Sequence, residues 1–377
     1  MYHYCTYFDH HYLPRGLALY ESLRAHAGAF RLWVLCMSTE CREILGALRR
    51  PEITTISLED FEQGDAELVA AKTNRSPIEY YFTCTPSLPL YVFEHWPEVE
   101  LITYLDADLF FFSSPQPLYQ ELGDGAVLIV PHRFSPRDPA SARRAQNGLY
   151  NVGWLSFRRN EHGLACLRWW RARCNEWCYD RLEDGRFADQ KYLDSFPKLF
   201  SRVVVLHHPG ANLAPWNIRN HTLSTLEGRI LVDGQPLVFF HFHGFKNVAP
   251  GIYDPYPRGY GVFVTRLMRR HLLRPYIQTM KQVDQSYLGC QSVLSRGLRS
   301  GLAPPPLVGR FSLARGIARG RYVTSGEHKG RYYRLLFAIF WAYEELLAIY
   351  YSLRRRVGRW LRRWIPATRS TCPKHRC

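Results

Sequence analysis

The sequence predicts an α/β fold, a mixed sheet flanked by helices, with a basic amphipathic helical extension at its C-terminal end. Three observations predict it. Over the first 130 residues short β-rich runs alternate with helical patterns, the rhythm of strands joined by crossover helices. Residues 99–105 read as one strand that is apolar apart from Glu100 and Thr103, as expected of a strand buried on both faces of a sheet. The charge is segregated: of a net +16, residues 301–377 contribute +13 through 16 Lys and Arg against 3 Asp and Glu, which leaves the body nearly balanced at +3. With 377 residues, 46% hydrophobic and 22% charged, the chain has room for one large domain of about 250 residues plus an extension, and a disordered or disulfide-stapled class is excluded.

In chain order, residues 2–8 read as a strand and Pro14 opens a helix carrying Leu17, Tyr20, Glu21 and Leu23. A strand is expected at 32–37, a helix at 39–49 and a strand at 53–56. Residues 77–96 read as largely helical despite Pro86 and Pro89, and they deliver the chain into the apolar strand at 99–105. Next come a strand at 126–131, a polar stretch at 135–146 with the composition of a mobile loop, a strand at 150–157 and a helix at 162–179. Residues 202–206 and 237–242 are β-like. Beyond 255 the pattern weakens, and the three prolines between Ala303 and Leu307 mark a linker. The expected division is therefore a main domain over 1–255, a helical or irregular extension with the linker over 256–330, and a basic aromatic tail over 331–377. No internal repeat is present.

Ten cysteines without a paired C-x-x-C pattern read as reduced thiols of a cytosolic protein. Cys174 and Cys178 lie one helical turn apart, but no second pair sits at zinc-finger spacing, so buried apolar thiols are expected. The first eight residues lack the basic and apolar regions of a signal peptide, which places the start of the chain in the cytosol and makes the sequons at Asn74 and Asn220 coincidental.

The chemistry concentrates at Asp106 and Asp108, two carboxylates two residues apart at the C-terminal end of the buried strand, where ligands of open α/β sheets bind. Converging carboxylates in an apolar setting call for a cation, and hard oxygen ligands suit Mg²⁺ or Mn²⁺ with positions left open for substrate phosphates. His241 and His243 share one face of the strand at 238–243, and an imidazole beside two carboxylates suits Mn²⁺. A pair of core histidines is the alternative, and His207 and His208 are rival ligands. The stretch 207–217, with Asn212, Trp216 and Asn217, combines amides with an indole face, which fits a sugar-binding loop or a packed turn. Asn151 and Gly153 fit a place where backbone approaches a ligand, or an ordinary turn. Lys72 and Arg75, ahead of the Pro77 helix, are candidates for pairing with a substrate phosphate, or solvated loop cations.

These residues resemble the metal-dependent nucleotide-sugar glycosyltransferases of the GT-A fold, especially the glycosyltransferase family 8-like group that includes glycogenin and bacterial lipopolysaccharide hexosyltransferases. The resemblance covers about residues 1–250. Its pieces are the opening strand with Thr6, Tyr7, Phe8 and Asp9, the following helix ending in Ser22-Leu23, the DxD element at 104–110, Asn151-Val-Gly153-Trp154 and Asp189-Gln190. It implies that Thr6, Phe8, Asn151 and Gly153 contribute to donor binding, that the Asp189 carboxylate contacts donor hydroxyls and that Gln190 lies close to the reacting carbon. By the residues alone, Asp189 is equally a helix N-cap. The resemblance further implies a third metal ligand, a histidine of an HxxGxxKPW element. Here the matching segment is His241-Phe-His-Gly244-Phe-Lys246, with the lysine one position early and no following Pro-Trp. His241 is the implied ligand, with His243 as the alternative, and Lys246 would neutralise the departing diphosphate.

In the tail, residues 335–351 are nearly long enough to span a bilayer, but Glu344 and Glu345 in their middle disfavour it. Val357, Trp360, Leu361, Trp364 and Ile365 then form one apolar helical face, and Arg354, Arg355, Arg356, Arg359, Arg362 and Arg363 fill the rest. Such a helix is built to lie on an anionic membrane surface; an oligomerisation helix and a nucleic-acid contact are the alternatives. The expected function is transfer of a sugar from a nucleoside diphosphate sugar to a glycan or lipid-linked acceptor, with retention, by an enzyme peripheral on the inner face of the cell membrane and without a nucleic-acid partner. One rival is a nucleotidyltransferase acting on a sugar phosphate, which would show a Gly-rich phosphate loop that residues 6–16 lack. The other is a non-enzymatic basic protein that binds membranes or nucleic acid.

Overall fold

The computed structural model describes residues 1–249, 251–255 and 260–288, with isolated positions between 314 and 338. The prolines of the linker, all but two residues of the run at 335–351 and the whole arginine segment at 354–365 lie outside the described residues. The chain forms two compact units, Met1–Ala303 and Pro304–Cys377, and the elements below belong to the first.

The chain begins with β1 (Tyr2–Phe8), α1 (Leu13–His26), β2 (Phe30–Cys36), α2 (Thr39–Leu48) and β3 (Ile53–Ser57), then three helices, α3 (Leu58–Glu62), α4 (Ala66–Lys72) and α5 (Pro77–His95). It continues through β4 (Leu101–Leu105), β5 (Leu109–Phe111), α6 (Gln116–Leu122), β6 (Val127–Pro131), α7 (Ser141–Ala145), β7 (Tyr150–Arg158), α8 (Glu161–Glu176), α9 (Phe196–Leu199) and β8 (Val203–Val205). The sheet has seven strands in the order β3-β2-β1-β4-β7-β6-β8. β3, β2, β1 and β4 are parallel, β7 runs antiparallel between β4 and β6, and β8 is parallel to β6. This is the expected mixed α/β sheet flanked by helices.

Strand periodicity sorts the core. Tyr4, Leu32 and Val34 point to one face of the sheet, where they meet Leu17, Tyr20 and Leu23 of α1. Cys5, Trp33, Leu35 and Tyr104 point to the other, against Leu88 and Phe93 of α5 and Trp170 of α8. α5 is opened by a capping box, with the Ser76 amide donating to Glu79 Oε2 at 2.8 Å, and it continues through Pro86 and Pro89. All seven cysteines among the described residues, Cys174 and Cys178 included, are buried and unpaired.

One segment differs from the sequence reading. The polar stretch at 135–146 contains the short helix α7, because Arg144 Nε pairs with the buried Asp138 carboxylate at 3.0 Å and the Ser135 amide donates to Trp216 O at 2.9 Å. Beyond the sheet, where the pattern had weakened, α10 (Arg274–Val283) buries Tyr276, Ile277 and Val283 and packs against α1. Between β8 and α10 come β9 (Leu223–Leu226), β10 (Arg229–Val232), β11 (Gln235–Pro236), β12 (Phe239–His241), β13 (Lys246–Ala249) and β14 (Ile252–Asp254). Among the described residues no helix is long and apolar enough to cross a membrane.

Candidate metal centre

β4 ends at Leu105, and a tight turn follows in which the Asp106 amide donates to Gly153 O and the Leu109 amide to Asp106 O, both at 3.1 Å. The turn carries the chain out of the sheet into β5, which pairs antiparallel with β12 so that His241 faces Leu109. The His241 amide donates to Leu213 O at 2.8 Å and the Phe242 amide to Asp108 O at 2.9 Å, which fixes the register at the site. The result is a cluster in which Asp108 and His241 are buried and Asp106 is half-buried. His241 Nε2 lies 3.0 Å from Asp108 Oδ1 and 3.6 Å from Asp106 Oδ2, and one ligand atom from each residue falls within 4.8 Å of the others.

The imidazole is oriented by Asn151, whose Oδ1 accepts from His241 Nδ1 at 3.1 Å and from the Gly153 amide at 3.2 Å. An amide oxygen cannot donate, so Nδ1 carries a proton; without a metal Nε2 carries one as well and donates to the Asp108 carboxylate, and a divalent cation would take that proton's place on Nε2. The Asn151 Nδ2 lies 3.4 Å from His132 Nε2. Burial pushes the His132 imidazole down to about 3, so this partner is neutral. Gly153 has a steric reason: a Cβ there would stand 2.7 Å from Asn151 Oδ1 and 2.9 Å from the His241 ring.

Burial pushes the Asp106 carboxyl up, and the neighbouring Asp108 charge adds to this against the pull of His241 and Tyr104. Burial acts on Asp108 in the same sense, but the charge and hydrogen bond of His241 override it and hold Asp108 below the usual carboxylate range. His241 is in turn raised, because Asp108 outweighs its burial. Two carboxylates and an imidazole that hold protons this way offer a divalent cation a mixed N/O donor set, and the residues fit such an ion.

On the sheet side Asp106 is held by hydrogen bonding. Tyr104 Oη donates to Asp106 Oδ1 at 3.0 Å, and Tyr7 Oη and Thr85 Oγ1 are hydrogen-bonded at 3.1 Å. Asp189 is buried in the same neighbourhood, and its carboxyl is pushed up to about 7 by burial, with Asp106 adding to the rise and a hydrogen bond from Thr85 opposing it. Gln190 turns its Nε2 to Asn147 O at 3.1 Å.

The other sequence candidates lie in distinct surroundings. Thr6 is fully buried in β1, and Phe8 is a core residue packed on Gly16, where a Cβ would approach its ring to 2.3 Å. Lys72 pairs with Glu62 at 2.7 Å. Arg75 stacks over Tyr179 at 4.0 Å and donates to Asn175 O at 3.3 Å. Lys246 is exposed at the start of β13. Of the four candidate histidines, His241 alone belongs to the cluster. His243 is exposed with its ring edge-on to Trp216 at 5.6 Å, His207 meets Glu121 at 3.1 Å, and His208 Nδ1 accepts from the Gly210 amide at 3.1 Å. The stretch at 207–217 is a packed turn. Asn217 Nδ2 donates to Asn212 O at 2.8 Å and to His132 O at 2.9 Å, and the buried Trp216 braces His241 edge-on at 5.1 Å.

Sequence reasoning passed over Tyr104 and the orienting role of Asn151. Tyr104 had a signal, since it lies two residues before Asp106. Asn151 had none, because its partner is 90 residues away.

Fold and site together define a mixed α/β protein with a largely buried Asp-Asp-His cluster at the C-terminal end of a central strand. The chain belongs to the family of two proteins of Bacillus subtilis (strain 168), the uncharacterized proteins YfnF and YfnD. It is 34% identical to YfnF over 252 residues, 65% of this chain and 82% of YfnF. It is 32% identical to YfnD over 250 residues, 66% of this chain and 79% of YfnD. No protein-family model matches the chain. Among solved structures, the galactosyltransferase LgtC in complex with donor and acceptor sugar analogs superposes with a TM-score of 0.46 at 16% identity, over 74% of this chain and 95% of LgtC. Mouse xyloside xylosyltransferase 1 in its apo form gives 0.42 at 15%, over 64% and 98%. Both likenesses are remote, and the architecture stands on its own strand order.

Proposed function

We propose that the protein is a metal-dependent glycosyltransferase that moves a sugar from a nucleoside diphosphate sugar to a glycan or lipid-linked acceptor. The observation that carries this reading is the convergence of Asp106, Asp108 and His241 at the C-terminal end of β4, the edge at which open α/β sheets bind ligands. The sequence resemblance to GT-A glycosyltransferases supports it. Asp106, Asp108 and His241 Nε2 would hold Mn²⁺ or Mg²⁺, which when bound supplies Lewis-acid stabilisation of charge on the departing diphosphate.

The residues around them have separate tasks. Asn151 keeps Nε2 of His241 turned to the carboxylates, Tyr104 holds Asp106, and Gly153 leaves room for the imidazole. Asp189, close enough to Asp106 to be influenced by its charge, is read as the group that binds donor hydroxyls, with Gln190 near the reacting carbon and retention as the outcome. The basic tail is read as a peripheral anchor on the inner face of the cell membrane, on its sequence alone.

Thermal denaturation with a panel of nucleotide sugars, each with and without Mn²⁺, tests the reading. A ligand at 100 times its Kd stabilises by roughly 2.7 kcal/mol. One donor should raise Tm by several degrees with Mn²⁺ and lose that effect in EDTA. A panel in which no nucleotide sugar shifts Tm overturns the proposal.

A further inference from the structure

We propose that Arg15 and the Tyr276 hydroxyl form an anion-binding corner beside Asp108 that takes the terminal phosphate of the donor's diphosphate, the task the sequence suggested for Lys246. The proposal rests on the nucleotide-sugar reading above. Charge balance asks for such a group. Asp106 and Asp108 match the two charges of a divalent ion, so the negative charge that develops on a departing diphosphate has to be met by a further cation.

Arg15 is placed for this. It stands in the first turn of α1, which contains no acidic residue, so a cation is added to the positive end of a helix dipole. That arrangement opposes helix stability and favours an anion in front of it. One terminal nitrogen, Nη2, donates to Phe245 O at 2.9 Å, and the guanidinium lies 4.5 Å from the centre of the Tyr12 ring. These contacts anchor the side chain while using one of its five N–H donors. Among the described residues Arg15 forms no ion pair with a carboxylate, although its charge helps to hold Asp108 low.

Tyr276 supplies the second donor. Its ring, from α10, stacks on Phe242 at 3.8 Å and 12° and meets Phe245 edge-on at 5.2 Å. Phe242 is the residue whose amide bonds Asp108 O, so Tyr276 is tied directly to the metal-site turn. The hydroxyl is buried and has no hydrogen-bond partner, a destabilising state that an incoming phosphate oxygen would relieve. It also lies within electrostatic reach of both Arg15 and Asp108. Lys246, by contrast, is exposed beyond the turn.

Calorimetric titration of the full-length chain with inorganic pyrophosphate in the presence of Mn²⁺, and with Mn²⁺ alone, tests the corner. Arg15→Gln should weaken pyrophosphate binding by at least about tenfold, the size of a charge-assisted contact, with Arg15→Lys between it and wild type. Tyr276→Phe should weaken it about threefold or more without lowering Tm, since the hydroxyl it removes makes no bond in the free protein. Lys246→Ala should change it less than about twofold, and Mn²⁺ alone should bind all four variants as it binds wild type. The corner is overturned, with the glycosyltransferase reading intact, if Arg15→Gln or Tyr276→Phe binds pyrophosphate as wild type does, or if Lys246→Ala carries the loss. Equal loss of Mn²⁺ binding in Arg15→Gln gives the arginine a structural role and overturns it as well. If wild type takes up neither Mn²⁺ nor pyrophosphate, both readings fall.

Discussion

The parallel half of the sheet and the β5–β12 ribbon solve opposite problems. In β1, β2 and β4 the side chains are mostly buried, and backbone pairing is long between β1 and β2, which match over seven residue pairs. The ribbon has three pairs, and it is there that Asp108 and His241 are held. Its accuracy comes from neighbours: Leu213 O on the His241 amide, Asn151 on the imidazole, Tyr104 on Asp106. Stability thus resides in the sheet and precision in the polar shell, so damage to one should be separable from damage to the other.

The largest effect should come from the cluster itself. Asp106→Asn and Asp108→Asn should each lower donor turnover by about a thousandfold or more, on the order of 4 kcal/mol in transition-state stabilisation. Tm without metal should hold or rise in Asp106→Asn, which removes a carboxyl that burial and Asp108 push up, and fall in Asp108→Asn, which loses the charged pairing with His241. Turnover at limiting Mn²⁺ measured beside Tm checks both halves.

The converse substitution is in the sheet. Leu35→Ala, at a fully buried position of β2, should cost about 2–5 kcal/mol of stability in urea unfolding. The Mn²⁺ affinity of the folded protein should stay at the wild-type value, and a parallel loss would mean that sheet and ribbon are one mechanical unit.

Between them lies the polar shell. Asn151→Ala should weaken Mn²⁺ binding about 10–100-fold, the usual size for an outer partner of a ligating histidine. Gly153→Ala should act in the same direction by pushing the His241 ring out of line. Calorimetry with Mn²⁺ alone reads both, and an unchanged affinity in Asn151→Ala would leave the imidazole oriented by its strand only.

The smallest effect concerns Asp189. Its carboxyl titrates near 7 in the folded protein against 3.8 for an ordinary aspartate, so between those values the folded state keeps a proton that the unfolded state has released. Stability should therefore fall as pH rises from about 4 to about 7, and Asp189→Asn should remove that part of the slope. At pH 7.5 without ligand the variant should melt a few degrees higher while losing donor turnover. A lower Tm would show that the carboxylate is stabilised by contacts other than those with Thr85.

The sequence by itself determined the local half of this protein. Short β-rich runs alternating with helical patterns and a largely apolar strand announce a sheet flanked by helices, and a DxD at the end of such a strand announces carboxylates with nowhere apolar to go, because both signals lie within a few consecutive residues. Only the tertiary structure decided which of four histidines joins them. That choice depends on the pairing of β5 with β12 across some 130 residues and on the Leu213 and Asp108 carbonyls that lock its register. The same holds for Asn151, whose amide serves an imidazole 90 positions away, and for Arg15 and Tyr276, which meet the site from opposite ends of the first unit. Local patterning records whether a residue is buried, since burial repeats with the period of its own helix or strand. Which buried group faces which is settled by packing between segments remote in the chain, and no spacing along the sequence records it.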